Sequence, residues 1–199
     1  MTIFDLLFAL LFLCTLVLLM IAAVSALRRK AKAAVRCLAI LVGVHAIYFT
    51  TLVAASLSTK GQVLAPAEVL WSDDWGIAAL SASVDLNSTA AATHLVNLQI
   101  TSRAGRIAQR EHGVQLYVTD DSGHRYDAIP DLSSGQTDAL LQPNETISLA
   151  RAFKLPADAK NPRLVISRGV SFPGIVIIMG NDSMFHERPS IRLADLPKP

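Results

Sequence analysis

The chain has 199 residues, 52% of them hydrophobic, and a mean hydropathy of +0.41. That excludes an ordinary soluble protein and fits a membrane anchor plus one modest domain. Its formal net charge of +2 is unevenly spread: five bases lie between residues 28 and 36, whereas residues 60–199 hold thirteen bases against fifteen acids. A mildly acidic domain without a basic stripe argues against nucleic acid as a partner.

Ile3 to Leu27 contains only Asp5, Thr15 and Ser25 as clearly polar residues, and Cys37 to Leu57 is nearly as apolar. Each run is about 20 residues, or roughly 30 Å of helix, the thickness of a bilayer's hydrocarbon core. Between them lie Arg28, Arg29, Lys30, Lys32 and Arg36, with no acid. Residues 1–58 therefore read as a transmembrane hairpin with spans at 3–27 and 37–57 and a basic loop at 28–36. The positive-inside rule keeps that loop in the cytoplasm and puts both termini on the periplasmic or external face of a bacterial inner membrane. Residues 1–5 carry no positive charge, and the first apolar run is too long for a signal-peptide core. Cys14 and Cys37 both fall in or beside the spans, so the exported domain has no disulfide and must be held by its core.

On the second span, Ala39, Gly43, Ala46, Thr50 and Ala54 fall on one stripe at 100° per residue. Small residues at that spacing let helices approach closely, so the stripe is expected to pack on the first span. His45 lies off it, on the side of Leu38, Leu41, Phe49 and Leu52. The first span offers it little to pair with, so a further protein is expected to cover it. Residues 59–74 read as a juxtamembrane linker. Trp71 and Trp75 flank Asp73 and Asp74, and fit either an interfacial aromatic belt or the start of the domain's packing.

From residue 75 the hydrophobic period is two. Leu80, Ala82, Val84 and Leu86 alternate with polar neighbours; so do His94, Val96, Leu98 and Ile100, and then Val114, Leu116 and Val118. This marks half-buried strands. Asp120-Asp121-Ser122-Gly123 is a hairpin turn leading into His124–Ile129. Ile147, Leu149, Phe153 and Leu155 keep one phase, interrupted by Arg151. Leu164–Ser167, Ile175–Met179 and Ser190–Leu193 add three short candidates. Seven or eight short strands without a convincing helix predict an antiparallel β-sandwich over 75–199.

Three motifs sharpen this. They are Asp120-Asp121-Ser122-Gly123-His124-Arg125-Tyr126, Leu141-Gln142-Pro143-Asn144-Glu145 and Phe153-Lys154-Leu155-Pro156. Together they resemble the D-x-x-G-x-x-Y hairpin, L-x-P-G-E and F-x-L/V-P pattern of a bacterial immunoglobulin-like domain of unknown function. That family is related to the mycobacterial immunoprotective extracellular antigen. Asn144 stands where the family has Gly; Asn also tolerates a left-handed turn. The stretch Gly180 to His186 looks similar as well. The resemblance implies an all-β, immunoglobulin-like sandwich acting as a tethered or secreted binding module, and it brings no catalytic residues.

Asp120, Asp121, Asp127 and Asp131 do not have EF-hand spacing, and His94, His112, His124 and His186 lack a metal-ligand spacing. No nucleophile elbow, phosphate loop or dinucleotide fingerprint occurs. His45 is the sharpest candidate: a hydrogen-bonded polar residue or, alternatively, an axial ligand to a haem or chlorophyll. The expected function is a non-catalytic accessory or scaffolding subunit that binds the lipid bilayer and integral membrane protein subunits, with no cofactor of its own. A respiratory or photosynthetic complex is one host that fits. An envelope ligand-binding or sensing module is the alternative.

Overall fold

In the computed structural model, residues 3–58, 60–85, 91–168, 176–178, 183 and 185–199 are described. The chain forms two compact units: residues 1–60 with 170–187, and residues 61–169 with 188–199.

The first unit is built on two helices that contain no proline and a single glycine, Gly43: α1 (Ile3–Leu27) and α2 (Ala31–Ser58). Both are long and apolar enough to cross a membrane. Only Ala22, Ala34, Leu52 and Ser56 on them are buried. The connection is shorter than the expected 28–36 loop. Arg28, Arg29 and Lys30 alone lie between the helices, and Lys32 and Arg36 sit on the first turns of α2. The turn closes because Arg29 takes a left-handed conformation (φ 56°), so that its N–H donates to Ala26 O and that of Lys30 to Ser25 O. This pair of bonds is the Schellman cap, made here without glycine.

The second unit holds eight strands in two antiparallel sheets of four. One sheet has the order β1-β2-β3-β6, from β1 (Leu70–Ser72), β2 (Trp75–Asp85), β3 (Ala91–Ser102) and β6 (Thr146–Pro156). The other has the order β5-β4-β7-β8, from β4 (Gln115–Thr119), β5 (Arg125–Asp127), β7 (Arg163–Ser167) and β8 (Ser190–Arg192). The chain crosses between sheets after β3, β5 and β6, which makes a Greek-key, immunoglobulin-like sandwich. Its core is the inward phase of these strands: Val96, Leu98 and Ile100 from β3, Val118 from β4, Phe153 from β6, Leu164 from β7 and Ile191 from β8, each fully buried.

The domain begins earlier than residue 75. Gln62 O accepts from the Ser190 amide and Leu64 N–H donates to Ser190 O, adding a parallel bridge at Val63 beside β8. Leu64 enters the core and Leu70 opens β1, so Gly61–Asp74 is built into the sandwich rather than forming a linker. On β2 the alternation changes phase. Trp75, Ile77 and Ala79 point inward, a bulge follows between Ala79 and Ser81, and Ala82 is then buried while Val84 is exposed. A bulge inserts one residue and so moves the inward phase from Trp75, Ile77 and Ala79 onto Ala82; Val84 shares the phase of Ala82 but is exposed at the end of β2, outside the core. Leu86 lies outside the described residues. Of Ile175–Met179, residues 176–178 form a turn rather than a strand, and Ile175 and Met179 lie outside the described residues.

Phe153→Ala should destabilise the sandwich by about 3–5 kcal/mol, because the site is fully enclosed and cannot collapse. Denaturant unfolding followed by tryptophan fluorescence would read this as a lower midpoint at unchanged slope.

Candidate functional site

The seam between α1 and α2 carries the chain's sharpest polar contact. On α1 the partly or fully buried positions are Phe4, Phe8, Leu11, Thr15, Leu18, Ala22 and Ser25, with Asp5 beside them. Spacings of four and three alternate, giving the 3.5-residue period of left-handed helix packing. On α2 the matching face is Ala34, Cys37, Leu41, Tyr48, Leu52 and Ala55 or Ser56.

Ala39, Gly43, Ala46, Thr50 and Ala54 are therefore not in the seam. All five are exposed, and a Cβ added at Gly43 would meet nothing within 4 Å. The three-residue turn fixes which face of α2 returns to α1, and that face is the one bearing His45. The first span does pair with the imidazole: Thr15 Oγ1 lies 3.3 Å from His45 Nε2, and His45 Nδ1 lies 2.9 Å from Leu41 O. A carbonyl can only accept, so Nδ1 carries the proton in that bond. Thr15 also donates to Leu11 O at 2.8 Å. In the neutral ring one threonine proton is thus shared between Leu11 O and Nε2, and the interhelical contact is the longest of the three. Axial ligation of a tetrapyrrole metal by Nε2 would require Thr15 to turn away.

Two apolar grooves flank the seam. One, of about 380 Å³, is lined by Phe8, Phe12, Phe49, Leu52 and the Thr15–His45 pair; the other, of about 330 Å³, includes Leu7, Leu10, Cys14 and Ile178. Tyr48 lines both, and its hydroxyl donates to Val176 O at 2.7 Å. At the end of α2, Ser56 Oγ lies 3.2 Å from Ser183 Oγ, both buried.

In the sandwich, the remaining candidates are held in place by local contacts. Trp75 is 3% exposed and belongs to the core, although its indole N–H has no partner there; Trp71 is 38% exposed with the Arg103 guanidinium 4.4 Å over its ring. Of the two roles open to them, Trp75 packs and Trp71 keeps an outward face.

The Asp120 carboxylate, whose side chain is 4% exposed, is the hub of its hairpin. It accepts from the amides of Ser122 and His124 (2.9 and 3.0 Å), from Tyr126 Oη (2.9 Å) and from His124 Nδ1 (3.2 Å). Gly123 supplies the left-handed residue of the turn (φ 79°). These contacts account for Asp120, Gly123 and Tyr126 at their offsets in this hairpin. Asp121 pairs with Arg163 and Asn161, and Asp127 with Arg125. Asn144 is left-handed (φ 59°), and the Glu145 carboxylate accepts from the Gln142 amide, closing the second motif. Arg151 stands in the inward phase of β6, and its guanidinium donates to the carbonyls of Ser134 and Gly135. Among the described residues no group of three or more His, Cys, Asp or Glu side chains could hold a metal ion. The Gly180–His186 stretch lies mostly outside the described residues.

No protein family and no curated protein matches the sequence. Solved structures resemble the chain in fold. The chain is similar to bacterial β-sandwich proteins. One is an uncharacterised β-sandwich protein from Clostridium difficile, at 11% identity and a TM-score of 0.43, covering 68% of this chain and 96% of that one. Another is the secreted protein MPT63 from Mycobacterium tuberculosis, at 11% identity and a TM-score of 0.42, covering 68% and 99%.

Two outcomes follow. Burial pushes the Asp120 carboxyl up, but the hydrogen bonds from Tyr126 and from the His124 amide and imidazole outweigh it and hold it below the usual range. Its contribution to stability is then fully present above about pH 4 and is lost as pH falls through the folded value. Acid unfolding of Asp120→Asn should lack that component. Thr15→Val should cost less than about 1 kcal/mol of hairpin stability, measured by thermal unfolding in mild detergent, because the contact to His45 is long at 3.3 Å and Thr15 already donates to Leu11 O.

Proposed function

We propose that this protein is a non-catalytic accessory or scaffolding subunit of a larger bacterial membrane assembly. In this reading α1 and α2 span the inner membrane, the basic turn is cytoplasmic, and the sandwich lies on the periplasmic or external side. The observation that carries it is the outward stripe of Ala39, Gly43, Ala46, Thr50 and Ala54. Because α1 leaves this face open, a helix from another subunit can approach the α2 backbone closely there. The five bases at or beside the turn support the orientation. The host is an integral membrane protein, and a respiratory or photosynthetic complex fits the requirement.

The 380 Å³ groove, apolar except at Thr15 and His45, favours a second reading: an envelope module that binds a small lipid-soluble ligand. The short cytoplasmic turn is too small to signal alone, which ranks this reading second.

The native protein isolated in mild detergent should bring a companion membrane protein in fixed stoichiometry. Gly43→Leu should remove that companion while leaving insertion and folding intact. A monomer, or a companion unaffected by Gly43→Leu, would contradict the proposal. Protease added to intact spheroplasts should degrade residues 61–199 and spare the turn at 28–30; full protection would reverse the orientation.

A further inference from the structure

We infer that residues 176–178, in the connection between β7 and β8, enter the hydrocarbon layer beside the hairpin as a re-entrant segment, with Ile178 packed on the helices and the acyl chains of the bilayer as the partner of Val176 and Ile177. This rests on the reading of α1 and α2 as membrane spans.

The placement follows from contacts inside the first unit. Val176 lines the groove formed by Phe8, Phe12 and Leu52, and Ile178, 3% exposed, lines the one formed by Leu7, Leu10 and Thr51. Those positions are well inside the helices. Asp5 on α1, with Ser56 and Ser58 on α2, marks the polar end of the hairpin on this side. Tyr48 precedes Ser56 by two helical turns, and Leu7 to Leu11 follow Asp5 by up to six residues. At 1.5 Å per residue this sets residues 176–178 roughly 3 to 12 Å inside that end, within a core of about 30 Å.

The chemistry suits that depth. Val176, Ile177 and Ile178 carry only aliphatic side chains, and the sequence from Phe172 to Met179 has no charge. A run of this length cannot span a bilayer but can dip into one. Backbone that is neither helix nor closed sheet is tolerated in hydrocarbon only where its polar groups find protein partners. Tyr48 provides one: its hydroxyl donates to Val176 O at 2.7 Å. A tyrosine in the middle of a span thus has a role that neither helix packing nor an interfacial belt explains. Phe would fill the same space without satisfying the carbonyl.

Site-directed spin labelling of the full chain in phosphatidylcholine vesicles tests this. In a Cys14→Ser, Cys37→Ser background, labels are placed at Ile177→Cys, at Ile47→Cys on the outward face of α2, and at Ile107→Cys on an exposed loop of the sandwich. Collision with oxygen, which concentrates in hydrocarbon, is compared with collision with a water-soluble nickel chelate. The label at 177 should match that at 47, with nickel accessibility several-fold below that at 107; a label at Val176 repeats the reading one residue away. Tyr48→Phe should raise nickel accessibility at 177 several-fold and leave 47 unchanged. A label at 177 as accessible to nickel as that at 107, while 47 remains shielded, would overturn the re-entrant segment. No change at 177 in Tyr48→Phe would overturn the tether. An aqueous label at 47 would instead defeat the membrane-span reading on which this rests.

Discussion

The surfaces of α1 and α2 are apolar on every side, and almost none of that surface is covered by protein. Leu6, Leu10, Leu13, Met20, Val42, Ile47 and Leu57 are all more than half exposed. At roughly 25 cal/mol per Å² of apolar area, leaving such helices in water would outweigh the whole stability of a small domain. A soluble protein hides a helix of this kind in its core, yet only four residues of the two helices are buried here. Reading the pair as a membrane hairpin resolves the conflict. The tight basic turn, the 3.5-residue seam and the hydrogen bonding of Thr15 and Tyr48 all take their meaning from it.

The sandwich meets a different constraint. Without cysteine it depends on a continuous core and on managed edges. The edge of β6 is covered by the chain from Ala128 to Ser134, through bridges at Ala128–Phe153 and Ser134–Ala150 and the bond from Ile129 N–H to Ala152 O. The Gln62–Leu64 segment covers β8, and the Ala82 amide donates to Pro197 O near the C-terminus. Asp120 and Glu145 then fix two turns by accepting backbone N–H bonds, so these two acids have a structural role. The unusual element is the β7–β8 connection, whose described residues 176–178 and 183 hydrogen-bond or pack with the helices of the first unit.

Much of this was legible in the sequence because periodicity reports burial wherever one face is wet. β3, β4, β6 and β7 announce themselves through Val96, Leu98, Leu116, Val118, Phe153 and Leu164, and the turn motifs through Asp120, Gly123 and Asn144. The seam was not legible, for a physical reason. When both faces of a helix are apolar, no alternation distinguishes the face toward a neighbouring helix from the face turned away from it, and small size was the only cue left. That cue pointed to Ala39 and Gly43, whereas the short turn brought the face of Leu41, His45 and Tyr48 onto α1. Thr15 was visible as a polar residue in the first span, at a depth facing His45 in an antiparallel hairpin, and that pairing was the missed signal. The bulge after Ala79 and the extra strand at Leu70–Ser72 were hidden because each depends on pairing partners that sequence does not order.

The membrane hairpin itself is tested most directly by flotation. The full-length protein, expressed in bacterial membranes and washed in alkaline carbonate, should rise with the lipid fraction of a sucrose gradient as an intact chain that includes α1. Release of the chain into the aqueous fractions, or recovery of a form that has lost its first helix by cleavage, would contradict it.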